Sequence, residues 1–147
     1  MLLAFNPFKL LNIEPQFDIS EETLLQNYQA LMKKLHPDQF LTQPEKEWAM
    51  IQSSQINEAY EILKAPLKRA EALLNILEVS IEGLDFETLE SLMLLQEEND
   101  KQKIHATFQK AETDFAHALK NKDLEMMKTS FLIMKYLKRS QESGVRS

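Results

Sequence analysis

Lys33-Lys34-Leu35-His36-Pro37-Asp38-Gln39-Phe40 decides the fold of this chain. Proline has no backbone donor and a fixed φ, so a helix arriving from the N-terminal side cannot continue through Pro37. The residue before a proline is pushed out of the α region, which makes His36 the stopping point. A second helical pattern begins a few residues further on. The stretch therefore predicts a two-helix hairpin, with an imidazole and a carboxylate at its tip and two lysines just behind them.

Upstream of the tip, Ser20 is a good N-cap, and Glu21 and Glu22 stand in the first turn, where carboxylates favour the helix dipole. Ile19 and Leu24 occupy the two positions of a hydrophobic staple. Leu24, Tyr28, Leu31 and Leu35 then form one apolar stripe, with Glu22, Gln26, Gln29 and Lys33 on the opposite face. Before this helix, Asn6-Pro7-Phe8 with Leu10 and Leu11 reads as a short capped helix, and Ile13 to Phe17, interrupted by Pro15, as a loop. Downstream of the tip, Thr42-Gln43-Pro44-Glu45 fits a capping box. It opens a helix with Ala49, Ser53, Ile56, Tyr60 and Leu63 on one face. Two helices joined by a short loop are expected to be antiparallel neighbours. Trp48 and Ile51 lie off that stripe and are expected to contact the C-terminal half.

Ala65-Pro66 marks the next boundary. Leu67, Ala70, Leu74 and Leu77 predict a further helix closing near Gly83. From Phe86 a long pattern runs to about Leu119, with a break near Asn99-Asp100; its far half presents Ile104, Phe108, Ala111, Phe115 and Leu119. Asn121-Lys122-Asp123 is a turn, and Leu124 to Leu137 is the final helix, with Met127, Phe131, Met134 and Leu137 inward. The tail from Ser140 is expected to fray. The expected fold is all-α: an N-terminal helical hairpin in residues 1–65, then a three-helix bundle in residues 66–147.

Composition agrees. In 147 residues, 44% are apolar and 27% charged, with only two glycines and five prolines, as a helical globular chain requires. That length suits one domain or two small ones. The absence of cysteine excludes disulfides, thiolate metal sites, a cysteine nucleophile and an iron–sulfur cluster held by the usual ligands. A formal net charge of -6 opposes bulk binding to nucleic acid or anionic lipid. No apolar run approaches the ~18 residues of a membrane span. MLLAFNPFKLLN lacks the basic leader and cleavage site of a secretion signal, so a reducing interior, most simply the bacterial cytoplasm, is the expected address.

His36 and Asp38 have the residue types of an acid–base pair, but catalysis needs a pocket and an orienting third group, and a hairpin tip is a protrusion. No enzyme activity, metal site or cofactor is expected; His105 and His117 are distant in sequence and not spaced as ligands. The plainest interpretation of His-Pro-Asp is a stable turn in which Asp38 bonds nearby donors. The sharper alternative is a docking plug, with Asp38 facing an arginine of a partner and Lys33 and Lys34 facing its acids.

The specific signal comes from the whole set of residues. Asn6-Pro7-Phe8, Phe17, Tyr28, Leu35-His36-Pro37-Asp38-Gln39-Phe40, Ile56-Asn57, Ala59-Tyr60, Leu63-Lys64 and Pro66-Leu67-Lys68-Arg69-Ala70 resemble the HscB-type J-domain co-chaperones, closely over residues 5 to about 98 and loosely beyond. The resemblance implies that the hairpin is a J domain. Through His36, Pro37 and Asp38, with Lys33 and Lys34 behind, it would bind a DnaK/HscA-type chaperone and stimulate its ATP hydrolysis. The bundle would bind an IscU-type iron–sulfur scaffold and deliver it, and a monomer is expected. The family's scaffold contacts match Leu89, Glu90, Met93, Leu94, Glu97 and Tyr136, and a further acidic contact is replaced by Lys101. Spacing puts Leu89, Met93 and Glu97 on one helix face, with Glu90 and Leu94 beside it. Leu92-Met93-Leu94-Leu95 is apolar on every side, more than one core seam uses, and residue pattern alone favours core packing. The alternatives are a J-domain protein with another client and a helical adaptor in which the turn is only a turn.

Overall fold

The computed structural model describes residues 5–81 and 83–146, and among them every regular element is helical. In order these are α1 (Pro7–Leu10), α2 (Glu21–Lys34), α3 (Gln43–Lys64), α4 (Pro66–Ile76), α5 (Phe86–Glu98), α6 (Lys101–Asn121) and α7 (Leu124–Arg146). A single 3-10 turn, Pro37–Gln39, sits between α2 and α3. The chain divides into two compact units, the first ending at Ile76 and the second beginning at Leu77. Pro66 ends α3 and opens α4 without closing the unit, so α4 belongs with the hairpin, and the first unit extends past the boundary drawn at residue 65.

In the first unit, capping follows the sequence. The Lys9 N–H donates to Asn6 Oδ1 (3.1 Å), Thr23 N–H to Ser20 Oγ (3.3 Å) and Glu45 N–H to Thr42 Oγ1 (3.3 Å). α2 and α3 pack as a hairpin, with α1 and α4 against α3. Phe8, Leu11, Phe17, Leu24, Ala49, Ile56, Leu63, Ala70 and Leu74 are buried. Small residues on α3, Ala49 and Ala59, are fully covered and let the neighbouring helices approach closely. Tyr28 and Tyr60 stack at 4.2 Å across the hairpin, and the Tyr28 hydroxyl donates to Asn57 Oδ1. Arg69 closes the unit: its Nε donates to the Leu63 carbonyl (2.8 Å) and its Nη1 to the Phe17 carbonyl (2.7 Å).

α4 is shorter than its periodicity predicts. It stops at Ile76, well before Gly83, and Glu78 at φ 57° takes the left-handed conformation that ends helices. Leu77 lies beyond the end of the helix and is exposed, while Leu73 on α4 is buried. Trp48 and Ile51 are 52% and 59% exposed.

The second unit is the three-helix bundle. Asn99 at φ 53° separates α5 from α6, and Asp100 caps α6 by accepting from Gln102 and Lys103 N–H. Lys122 at φ 58° ends α6, and Asp123 caps α7 by accepting from Met126 N–H (3.1 Å). Ile104, Ala111 and Phe115 of α6 meet Met127, Phe131, Met134 and Leu137 of α7 in a largely apolar core. α7 does not fray at Ser140; it continues to Arg146, because nothing after Leu137 breaks a helix more strongly than Gly144, at a cost of about 1 kcal/mol.

Candidate docking sites

The first candidate site is the hairpin tip. α2 ends at Lys34, and Leu35 N–H still bonds back to the Leu31 carbonyl, so the helix is intact up to the turn. His36 is extended, at φ -61° and ψ 136°, as its place before proline demands. Gln39 and Phe40 N–H then bond to the carbonyls of His36 and Pro37, which closes the turn. Asp38 N–H donates to His36 Nδ1 (3.2 Å). Asp38 Oδ2 lies 3.6 Å from the same nitrogen. The backbone contact is the shorter of the two.

The side chains of His36 and Asp38 are 60% and 89% exposed, and Pro37, Lys33 and Lys34 are exposed beside them. All five residues singled out from the sequence thus share one accessible protrusion. The Asp38 carboxylate has both oxygens open to solvent, a good receptor for a forked guanidinium. Phe40, just past the tip, meets the Trp48 ring edge-on at 6.1 Å.

The second candidate site is on the bundle. Asp85 caps α5 through Thr88, whose hydroxyl donates to Oδ1 (2.7 Å) and whose N–H donates to Oδ2 (3.0 Å). These bonds hold the Asp85 carboxyl below the usual aspartate range. On the helix so anchored, the four-residue apolar run splits. Leu92 is buried with Ile104 and Leu137, and Leu95 packs against that cluster. Met93 and Leu94 are 50% and 57% exposed, so core packing, favoured by residue pattern alone, is not their role. Two of the four suffice to fill the seam facing α6 and α7.

Leu89 is half-buried, Glu90 and Glu97 are exposed, and Tyr136 on α7 is half-buried with its hydroxyl donating to Gln96 Oε1 (2.7 Å). The six residues taken from the sequence are therefore on or beside the outer face of α5. Sequence reasoning missed Phe86, which is exposed at i−3 from Leu89 and i−7 from Met93 on that same face. An aromatic in the first turn, off the core stripe, was the available signal. Lys101 is exposed at the head of α6, and His105 and His117 are exposed along it.

The DnaJ-domain family profile matches residues 6–72, spanning the tip and all of α1 to α3. A co-chaperone protein HscB homolog from Aeromonas hydrophila is 33% identical over 141 residues, covering 95% of this chain and 81% of the relative. The chain belongs to the HscB co-chaperone family. Two solved HscB structures share the fold. Chaperone HscB from Vibrio cholerae superposes with a TM-score of 0.79 at 25% identity, covering 96% of each chain. Human co-chaperone protein HscB superposes with a TM-score of 0.82 at 24% identity, covering 93% of this chain and 79% of the human one. The HscB-type hairpin and three-helix bundle read from the sequence are the observed architecture. Among the described residues no helix is long and apolar enough to cross a membrane.

Proposed function

We propose that this protein is a non-catalytic co-chaperone that stimulates ATP hydrolysis by a DnaK/HscA-type chaperone and delivers an IscU-type scaffold to it during iron–sulfur cluster assembly. The observation that carries the proposal is the exposed His36-Pro37-Asp38 tip, held by backbone hydrogen bonds at the end of a packed hairpin. A rigid tip enters a partner without first losing conformational entropy. Asp38 would pair with an arginine of the chaperone, and Lys33 and Lys34 with its acids, so that charge fixes orientation.

The outer face of α5 supports the scaffold half of the proposal. Leu89, Met93 and Leu94 supply apolar surface, Glu90 and Glu97 supply charge, and Tyr136 flanks them. Fully burying an exposed aliphatic side chain is worth about 1.5–3 kcal/mol, so covering the exposed halves of Met93 and Leu94 would together contribute roughly 1.5–3 kcal/mol to binding. Any cluster would be cargo held by the scaffold. The protein would act in the cytoplasm as a monomer. Lys101, standing where the family resemblance leads one to expect an acid, favours a second possibility: the same tip acting for a different client.

The test is the ATPase rate of a cognate chaperone, with and without scaffold. The wild-type chain should raise the rate, while Asp38→Ala should raise it by under a tenth as much with unchanged helicity. An undiminished increase with Asp38→Ala would refute the role of the tip. Met93→Ala/Leu94→Ala should stimulate normally yet lose scaffold binding by calorimetry.

A further inference from the structure

The chain holds seven methionines and no cysteine, so thioether is the sulfur that an oxidant meets here. Methionine takes up oxygen fastest where a peroxide can reach its sulfur, and the structure sorts these residues by access. Met127 and Met134 are fully buried in the bundle core, and Met32 is half-buried on α2. Met50, Met93 and Met126 are exposed, while Met1 lies outside the described residues. Met50 stands on α3 and Met126 in the first turn of α7, neither among the residues given a docking role. Of the exposed ones, Met93 lies on the outer face of α5, one turn after Leu89 and beside Leu94.

The seam that α5 turns towards α6 and α7 is filled by Leu92 and Leu95, so a change at the Met93 sulfur alters surface and leaves packing alone. We propose that Met93 is a reversible oxidation site, at which a hydroperoxide weakens scaffold docking while the fold stays intact. The inference rests on the scaffold role proposed for the outer face of α5. The thioether sulfur attacks one oxygen of the peroxide. An S–O bond forms as the O–O bond breaks, and sulfur gives up an electron pair. With hydrogen peroxide, the other oxygen leaves as water. The product is a sulfoxide, a polar acceptor where an adaptable apolar side chain stood. The acids that flank it, Glu90 at i−3 and Glu97 at i+4, are exposed and only accept when ionised, so they offer its oxygen no hydrogen. A partner covering the face would strip water from that oxygen, at a cost to binding. Leu89 and Leu94 carry no sulfur and keep the rest of the apolar surface, so docking is weakened rather than abolished. A methionine sulfoxide reductase restores the thioether.

The experiment treats the purified full chain with hydrogen peroxide, locates the added oxygen by peptide mass spectrometry, and titrates apo scaffold of the IscU type by calorimetry. Met93 should oxidise before Met127 and Met134, with helicity unchanged by circular dichroism. Affinity should fall about tenfold, and return after treatment with methionine sulfoxide reductase. Met50→Leu/Met126→Leu should lose affinity on treatment as the wild type does. Met93→Leu, compared with its own untreated sample, should lose none. A treated Met93→Leu chain that loses as much as wild type overturns the proposal, as does Met93 oxidising no faster than Met127. Binding that is lost in untreated Met93→Ala/Leu94→Ala, yet untouched by oxidation at Met93, overturns this inference alone and leaves the scaffold role standing. Full affinity in untreated Met93→Ala/Leu94→Ala overturns the scaffold role itself, and the inference with it.

Discussion

At the scale of single residues, the tip separates shape from charge. Asp38 contributes its backbone N–H to the turn, while its carboxylate reaches into solvent. Asp38→Asn preserves the N–H and the size, so thermal stability should stay within about 0.5 kcal/mol of wild type. ATPase stimulation should nonetheless fall at least about tenfold, because a neutral amide cannot form the charge-assisted pair. Stimulation retained by Asp38→Asn would mean that the turn's shape, rather than its charge, is recognised. Arg69 is the converse case, a charge spent on structure. It joins the end of α3 to the loop at Phe17 through two carbonyls. Arg69→Ala should cost the first unit about 3 kcal/mol, read from denaturant midpoints, and leave the bundle unaffected. The tip was legible because proline and histidine act on their own backbone. Arg69 was visible only as part of a family motif, since its acceptors lie 6 and 52 residues away and no local pattern marks a carbonyl as waiting for a donor.

At the scale of helices, periodicity predicted which elements exist better than where they stop. α3, α6 and α7 bury the stripes their sequences show, but α4 ends early and α7 runs on. Both errors come from end signals: Glu78 adopts a left-handed conformation that a glutamate does not advertise, and a single glycine near a C-terminus is too weak to stop a helix. The outer face of α5 was hidden for another reason. An apolar residue reads the same whether core or client covers it, and only the positions of α6 and α7 decide. The cap of α5 makes a further prediction. The Thr88 bonds lower the Asp85 pKa below its ordinary 3.8, so the ionised cap stabilises the native state above that value. The contribution disappears as pH falls through the depressed native value. Asp85→Asn retains an acceptor without a charge, so its melting temperature should decline less than that of wild type between neutral pH and about pH 3.

At the scale of the whole molecule, one activity is proposed for each compact unit, and the two should be separable by substitution. Asp38→Ala should bind scaffold with wild-type affinity by calorimetry, and Met93→Ala/Leu94→Ala should stimulate the chaperone at the wild-type rate. Placing both substitutions in one chain should add the defects, because each falls within its own compact unit. A double variant more impaired in basal stimulation than Asp38→Ala alone would contradict that independence. One feature of the first unit gives the experimenter a gauge. Trp48 is the only tryptophan in 147 residues, and it stands half in water against Phe40, two positions past Asp38. All indole fluorescence of the chain therefore originates next to the tip. A chaperone closing over it would shift the emission to shorter wavelength, so docking could be timed in a stopped-flow cuvette without attaching any dye.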